Sequence, residues 1–355
     1  MPPASYPSKR LTTLRREAYV IGIAAIGGGI FAGFGVPAAW LSGSMLLVSI
    51  VGVLKPLPDM RKPWFDSTML LSGTLIGSAA TPEALATVAR YPGSILLLFV
   101  ALAAIMLASG AYLRIVGRWS WIDALLASAP GALSAVIAVA EARGANIGRI
   151  AVIQLFRILV LVALLPTAMQ IVGANSLNSG PAVATATITA AELALIMGCG
   201  IVAWWAFERI GLMAPSILGA TFASATLQGT GVVHGTLPPS LQIAVLVLLG
   251  AVMGGRVSHV KRSEMKALFP LALGGFFVSV IVAFIFAWPG AVIAGVPYAT
   301  AMAAFAPGGL EAMAMLAFAM GLDPLYVGAH HLARFMGLGL VLPILIAQLW
   351  PLPKR

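Results

Sequence analysis

Charge is scarce in this sequence, and the scarcity excludes most soluble architectures. Charged residues make up 9% of the 355 positions and only 11 are acidic, whereas soluble domains carry roughly 25% charged residues. With 60% hydrophobic residues and a mean hydropathy of +1.01, the membrane is the expected solvent. Cysteine is almost missing: Cys199 stands alone, so no intrachain disulfide can form and redox compartment is not indicated. There are 4 histidines, and only His330 and His331 are adjacent. That leaves too few ligands for the three or four convergent groups of a copper, iron or zinc centre, and no metal is expected. A GxxxxGK[ST] phosphate loop and a Rossmann fingerprint followed by its acid are both lacking. No cofactor is expected, and any energetic coupling should draw on ion or proton gradients.

What the chain does have is apolar segments of about 20 residues, the length that crosses a hydrocarbon core of about 30 Å. They fall near 18–34, 37–54, 64–80, 92–113, 121–142 and 146–171, then near 185–207, 213–228, 240–255, 267–288, 298–320 and 324–348. Lys9, Arg10, Arg15 and Arg16 precede the first. It lacks a convincing cleavage site and has a counterpart in the second half, so it reads as a membrane helix rather than a signal peptide. The net charge of +10 is scattered through short loops without interleaved aromatics, so nucleic acid is not an expected partner.

The twelve segments are two sets of six. Residues 129–166 align without a gap on 306–343, a separation of 177 positions, with thirteen identities in thirty-eight. Matched Leu and Ala mean little in apolar segments. Matched Pro130 and Pro307, Gly131 and Gly308, Gly144 and Gly321, Arg157 and Arg334, and Pro166 and Pro343 mean more. Gly73 with Gly250 and Gly77 with Gly254 keep the same separation, and WLSGSM (40–45) matches SILGAT (216–221) at 176. The expected organisation is a first membrane repeat over 1–171, a charge-free connection over 172–184 and a second repeat over 185–355.

Basic residues set the orientation, because they are retained on the cytoplasmic side. Lys55, Arg61, Lys62, Arg114 and Arg118 mark loops of the first half whose counterparts are uncharged. Arg256, Lys261, Arg262 and Lys266 mark a second-half loop whose counterpart is nearly neutral. The repeats are therefore expected to be inverted, in an all-α integral membrane fold with about five transmembrane helices and one non-crossing segment per half. Both termini would then be cytoplasmic, and Arg90 is the main exception. The best non-crossing candidates are 121–142 and 298–320, broken by Pro130-Gly131 and by Pro307-Gly308-Gly309. Proline removes a backbone donor and glycine tolerates a reversal, so each predicts a re-entrant segment. Irregular backbone at membrane depth persists only where it is buried or lines a cavity.

An APG motif followed about 27 residues later by Arg, present twice, resembles the AbrB-type duplicated inner-membrane proteins of bacteria. That family is also labelled ammonia monooxygenase and differs from the small soluble DNA-binding regulator sharing its name. The resemblance covers nearly the whole chain. It implies an inner-membrane location and a duplicated unit; regulation of gene expression has been ascribed to some members and transport suspected. The monooxygenase label finds no support in the residues. Ser134 stands opposite Glu311, so the two halves differ where one carries a carboxylate.

The candidate site collects around the breaks. Glu311 either serves as a proton or cation site inside the membrane or caps the helix opened by the glycines. Arg157 and Arg334 lie inside apolar helices with polar partners one turn earlier, Gln154 for the first and His330 and His331 for the second. They either hold carbonyls freed by the breaks or, with His331, meet an anionic solute. The leading functional expectation is a secondary transporter or permease for an unidentified small solute, with an anion as one candidate; the alternative is a membrane sensor affecting gene expression without transport. Enzyme activity is not expected. The bilayer is the expected environment, and a homo-oligomer is left open.

Overall fold

The computed structural model describes residues 9–131, 133–171, 186–212, 214–260 and 262–349. The expected connection at 172–184 lies outside them. The described residues are helical throughout, with an isolated bridge between Thr187 and Thr236 as their one trace of β-pairing.

The first half runs through α1 (Lys9–Gly33), α2 (Ala39–Leu54), α3 (Lys62–Gly77), α4 (Pro82–Thr87) and a single 3-10 turn into α5 (Tyr91–Ile115). It continues through α6 (Trp121–Ser128), α7 (Leu133–Ala142) and α8 (Ile147–Ile171). The second half has α9 (Ala190–Arg209), α10 (Pro215–Gly229), α11 (Pro239–Gly255) with a 3-10 turn at Arg256–His259, and α12 (Arg262–Ala294). It ends with α13 (Tyr298–Phe305), α14 (Leu310–Ala319) and α15 (Pro324–Leu349). The helix order of one half thus recurs in the other, apart from the extra α4.

Six of these helices, α5, α8, α9, α11 with its 3-10 turn, α12 and α15, are long and apolar enough to cross a membrane. α2, α3 and α10, at 16, 16 and 15 residues, fall short of the usual span of about 20. They are also shielded: α2 packs against α1 and α11, and α10 against α9 and α3.

Glycine allows the close approaches. On α3, Gly73 sits against Ile217 and Ala220 of α10, and Gly77 against Thr221 and Ser224, with no room for a Cβ at either. On α11, Gly250 sits against Leu41 and Ser44 of α2, and Gly254 against Met45 and Val48. In lipid no hydrophobic force brings helices together, so backbone contact at small residues supplies the dispersion that does. Both pairs run parallel, since residue numbers rise together along each contact.

α5 and α12 pack in the opposite sense. Gly93 lies beside Ile293, the Ser109 and Ser279 hydroxyls are 2.7 Å apart, and Gly117 lies beside Leu271. The long helix α12, with 33 residues, turns a row of apolar side chains outward, among them Ile281, Ile285, Trp288 and Val292. On a protein surface in water such a row would be costly. Against acyl chains it is the expected lining.

On one edge of the bundle, Glu17 precedes the apolar stretch of α1 and is buried. Its carboxylate accepts from Arg61 Nε and Nη2, each at 2.6 Å, from the Arg61 backbone N–H at 3.2 Å, and from Trp64 Nε1 at 3.2 Å. This contact ties α1 to the entrance of α3.

Candidate functional site

Both Pro-Gly segments are broken helices. α6 ends at Ser128, where Ala129 leaves helical geometry at φ −66°, ψ 114°, and Gly131 takes φ +85° before α7. α13 ends at Phe305, Ala306 leaves at φ −53°, ψ 138°, and Gly309 at φ −86°, ψ 152° opens α14. Each arm is 8 or 10 residues, about 12 to 15 Å at 1.5 Å per residue, or half a hydrocarbon core. The breaks meet: a Cβ on Gly131 would stand 3.0 Å from the Gly308 carbonyl oxygen and 3.2 Å from Arg334 Nε. A side chain there would need both an unfavourable φ and space that is already taken.

A broken helix leaves carbonyls without intrahelical donors. Arg157, buried on α8, donates to the carbonyls of Ser128 at 3.2 Å and Ala129 at 3.0 Å, with a longer contact to Ala127 at 3.5 Å. Arg334, buried on α15, donates to Ala306 at 2.7 Å and Gly308 at 2.5 Å. One turn earlier, Gln154 Nε2 donates to the Leu126 carbonyl at 3.0 Å and His331 Nε2 to the Ala303 carbonyl at 2.9 Å. A carbonyl can only accept, so His331 carries its proton on Nε2 and offers Nδ1 to the guanidinium of Arg334, which it contacts directly. These bonds connect the same pairs of positions in the two halves, Gln154–Leu126 with His331–Ala303 and Arg157–Ala129 with Arg334–Ala306. The C-terminal ends of α6 and α13 carry roughly half a negative charge each, which offsets in part the cost of two buried cations. In both arginines Nε is buried without a partner.

His330 does not join this group, despite lying four residues before Arg334. Its Nδ1 donates to the Tyr326 carbonyl at 2.8 Å, and its Nε2 lies 2.9 Å from Ser94 Oγ on α5. Ser134 lies in the first turn of α7, and its side chain is outside the described residues. Pro130, Pro307 and Gly308 lie in the breaks, as their residue types require.

Next to the breaks is a cavity of about 420 Å³. Gly131 and Gly309 line it where the breaks meet, and Gln154, Arg256 and Glu311 supply its hydrogen-bonding side chains. Apolar walls come from Phe65, Ile158, Met253, Leu310 and Phe335. Glu311, half-buried in the first turn of α14, makes no side-chain hydrogen bond or ion pair among the described residues and does not cap the helix with its side chain. Arg256 lies over the Phe65 ring with its guanidinium carbon 5.9 Å from the centroid, and its side chain likewise has no hydrogen bond or ion pair there. Reading the sequence as loops and spans made Arg256 an orientation charge. Only the packing of the 3-10 turn against α2 and α8 brings it to the cavity.

A second, smaller cavity of about 180 Å³ lies beyond α14, lined by Ile76, Ile217, Thr221, Ala314 and Gly328. Leu310 lines both cavities. Along α3, Phe65 faces the larger and Ile76 the smaller, a rise of about 16 Å at 1.5 Å per residue. Among the described residues no group of three His, Cys, Asp or Glu side chains could hold a metal ion.

Comparison with known proteins agrees with this architecture in extent. An uncharacterized protein, YhjN of Bacillus subtilis (strain 168), is 23% identical over 363 aligned positions, covering 94% of this chain and 93% of its own length. A family profile described as "Transition state regulatory protein AbrB" matches residues 17–350, so that, with α1 to α15 nearly all inside the match, the chain belongs to the AbrB family.

Proposed function

We propose that the protein is a secondary transporter or permease for a small solute, built from two inverted repeats. The carrying observation is the pair of cavities that share Leu310 as a lining residue, one toward the start of α3, beside the helix breaks, and one toward its end. On this reading the layer at Leu310 separates the two sides, as alternating access requires.

Several contacts support the inversion. α5 and α12 occupy equivalent places in the two halves and run antiparallel, as a two-fold axis in the membrane plane demands. The exchange of partners between α2–α11 and α3–α10 has the same cause. On this reading each half crosses the membrane five times and adds one re-entrant pair, α6–α7 or α13–α14. The short α2, α3 and α10 cross inside the bundle, where α1 and α9 shield them. The ends of α2 and α11 share a face with the start of α3, which gathers Lys55, Arg61, Lys62 and Arg256 on what would be the cytoplasmic side of the inner membrane, with both termini. A protein of this design acts without covalent chemistry, so we read it as a non-enzyme.

Within the site, Glu311 is the proton- or cation-binding carboxylate, while Gln154 and Arg256 meet the solute. Arg157, Arg334 and His331 hold the breaks together and make the floor electropositive. His330, bonded to Tyr326 and facing Ser94, stands outside the solute contact. The family's description as regulatory supports a second reading, in which the same cavity binds a ligand as a sensor without moving it.

Purified protein in proteoliposomes, offered a broad solute panel with and without a pH gradient, separates the two. Saturable, gradient-driven uptake is expected; ligand-induced stabilisation without flux would establish the sensor. The topology is tested in a Cys199→Ser background with Ser263→Cys and Asn178→Cys. An impermeant thiol reagent should label position 178 and not 263 in intact cells, and the reverse would overturn the inverted arrangement.

A further inference from the structure

The larger cavity holds two charges of opposite sign that do not neutralise each other. Glu311 comes from the first turn of α14 and Arg256 from the 3-10 turn after α11. Neither side chain pairs with the other or with another side chain among the described residues. Glu17, buried at the start of α1, is by contrast paired with Arg61.

Both groups are half-buried and border apolar walls, so each keeps hydrogen-bonding capacity turned to the cavity that no side chain takes up. A simple anion would satisfy Arg256 and repel Glu311; a simple cation would do the opposite. A molecule carrying both an ammonium and a carboxylate would satisfy both at once. Apart from Gln154, whose amide nitrogen already donates to the Leu126 carbonyl, the main walls are Phe65, Ile158, Met253, Leu310 and Phe335, which offer dispersion and no hydrogen bonds from their side chains, so most of the body of that molecule should be apolar. At about 420 Å³ the space is far too large for an inorganic ion and lies within the roughly 300–1,000 Å³ of small-molecule sites. Gly131 and Gly309, without side chains, let the ligand reach the backbone of the breaks.

From this juxtaposition we infer that the cavity binds a small zwitterion with an apolar body, its carboxylate at Arg256 and its ammonium at Glu311. The inference rests on the reading that this cavity is the solute site, and it specifies the chemistry of the solute. Arg256 is a specificity residue, whose fork matches a carboxylate bidentately. Glu311, from the first turn of α14, reads the ammonium.

The test uses four probes that share six carbons: L-leucine, with both charges on one carbon; ε-aminocaproate, with the charges at opposite ends; caproate, which lacks the ammonium; and hexylamine, which lacks the carboxylate. Binding to the full-length protein in nanodiscs is measured by titration calorimetry. At least one zwitterion should bind about tenfold or more tighter than both single-charge probes, the ratio expected from one charged hydrogen-bonding contact. Which zwitterion wins reports the spacing of the two charges. Glu311→Gln should remove the preference over caproate, and Arg256→Gln the preference over hexylamine. Caproate or hexylamine matching both zwitterions in the native protein would overturn the inference, as would no binding by any probe. The native-protein ratios decide the matter even if a variant misfolds.

Counterflow in proteoliposomes separates this inference from the transport reading. A zwitterion that binds without crossing removes the transporter and keeps the ligand class. Saturable flux of another solute, with no zwitterion bound, does the reverse.

Discussion

Arg157 and Arg334 each donate to the carbonyl that immediately precedes a helix-breaking proline, Ala129 for the first at 3.0 Å and Ala306 for the second at 2.7 Å. The two guanidiniums thus act as replacement donors for helices that stop inside the fold.

We therefore expect Arg334→Ala to lower folded yield. It strips donors from the Ala306 and Gly308 carbonyls, at roughly 1 to 3 kcal/mol for each acceptor left unpaired. Arg334→Lys should recover yield only in part, because an ammonium cannot span two carbonyls as a planar fork does. Melting temperature in detergent is the readout. An Arg334→Ala variant as stable as the parent would remove the structural role.

Glu311→Gln should behave differently. Its carboxylate makes no hydrogen bond or ion pair among the described residues, so the near-isosteric amide should leave the melting temperature within about 0.5 kcal/mol equivalent, as for substitutions away from buried networks. Preference for a zwitterion over caproate should disappear. Loss of fold with Glu311→Gln would make this carboxylate a structural residue.

Leu310 lines both cavities, and if it is the partition between them its size should matter more than its chemistry. Leu310→Ala should raise uncoupled leak of small solutes while costing about 2 kcal/mol or more of stability, since the residue is buried. Leu310→Met, close in volume, should restore both. Dye-release and uptake assays on the same liposomes check this; a tight Leu310→Ala variant would place the barrier elsewhere.

Glu17 gives a pH prediction. Hydrogen bonds from Arg61 hold its carboxyl below the ordinary value of 4.5 in the folded protein. A depressed folded value stabilises fully above about 4.5 and loses that contribution as pH falls toward the folded value. Glu17→Gln should lower the melting temperature at neutral pH and flatten its fall through the acidic range. An unchanged acid profile would show that the ion pair does not contribute.

Much of this fold could be read from residue pattern because lipid makes the rules local. Apolar runs of spanning length, Pro-Gly interruptions and a repeat that carries Arg157 onto Arg334 all survive in one dimension. Helical spacing placed both His330 and His331 beside Arg334, but three and four residues lie on either side of the same face; contact with Ser94 draws His330 away. Arg256 and Leu310 were invisible as site residues for another reason. One looks like a loop charge and the other like any membrane leucine until α3, α8 and α11 pack around the breaks. The pairing of Glu17 with Arg61 spans 44 positions without a motif.

The Leu310 layer also has an electrical consequence. Where water fills a cavity from each side, the resistance of the membrane lies almost wholly in the partition, and the transmembrane voltage falls across it rather than across the full bilayer. A unit charge passing from the Glu311 side of Leu310 to the other would then gain or lose nearly the whole of about 2.3 kcal/mol per 100 mV over a few ångströms. On the transporter reading, the carboxylate beside that layer would stand where the field is steepest.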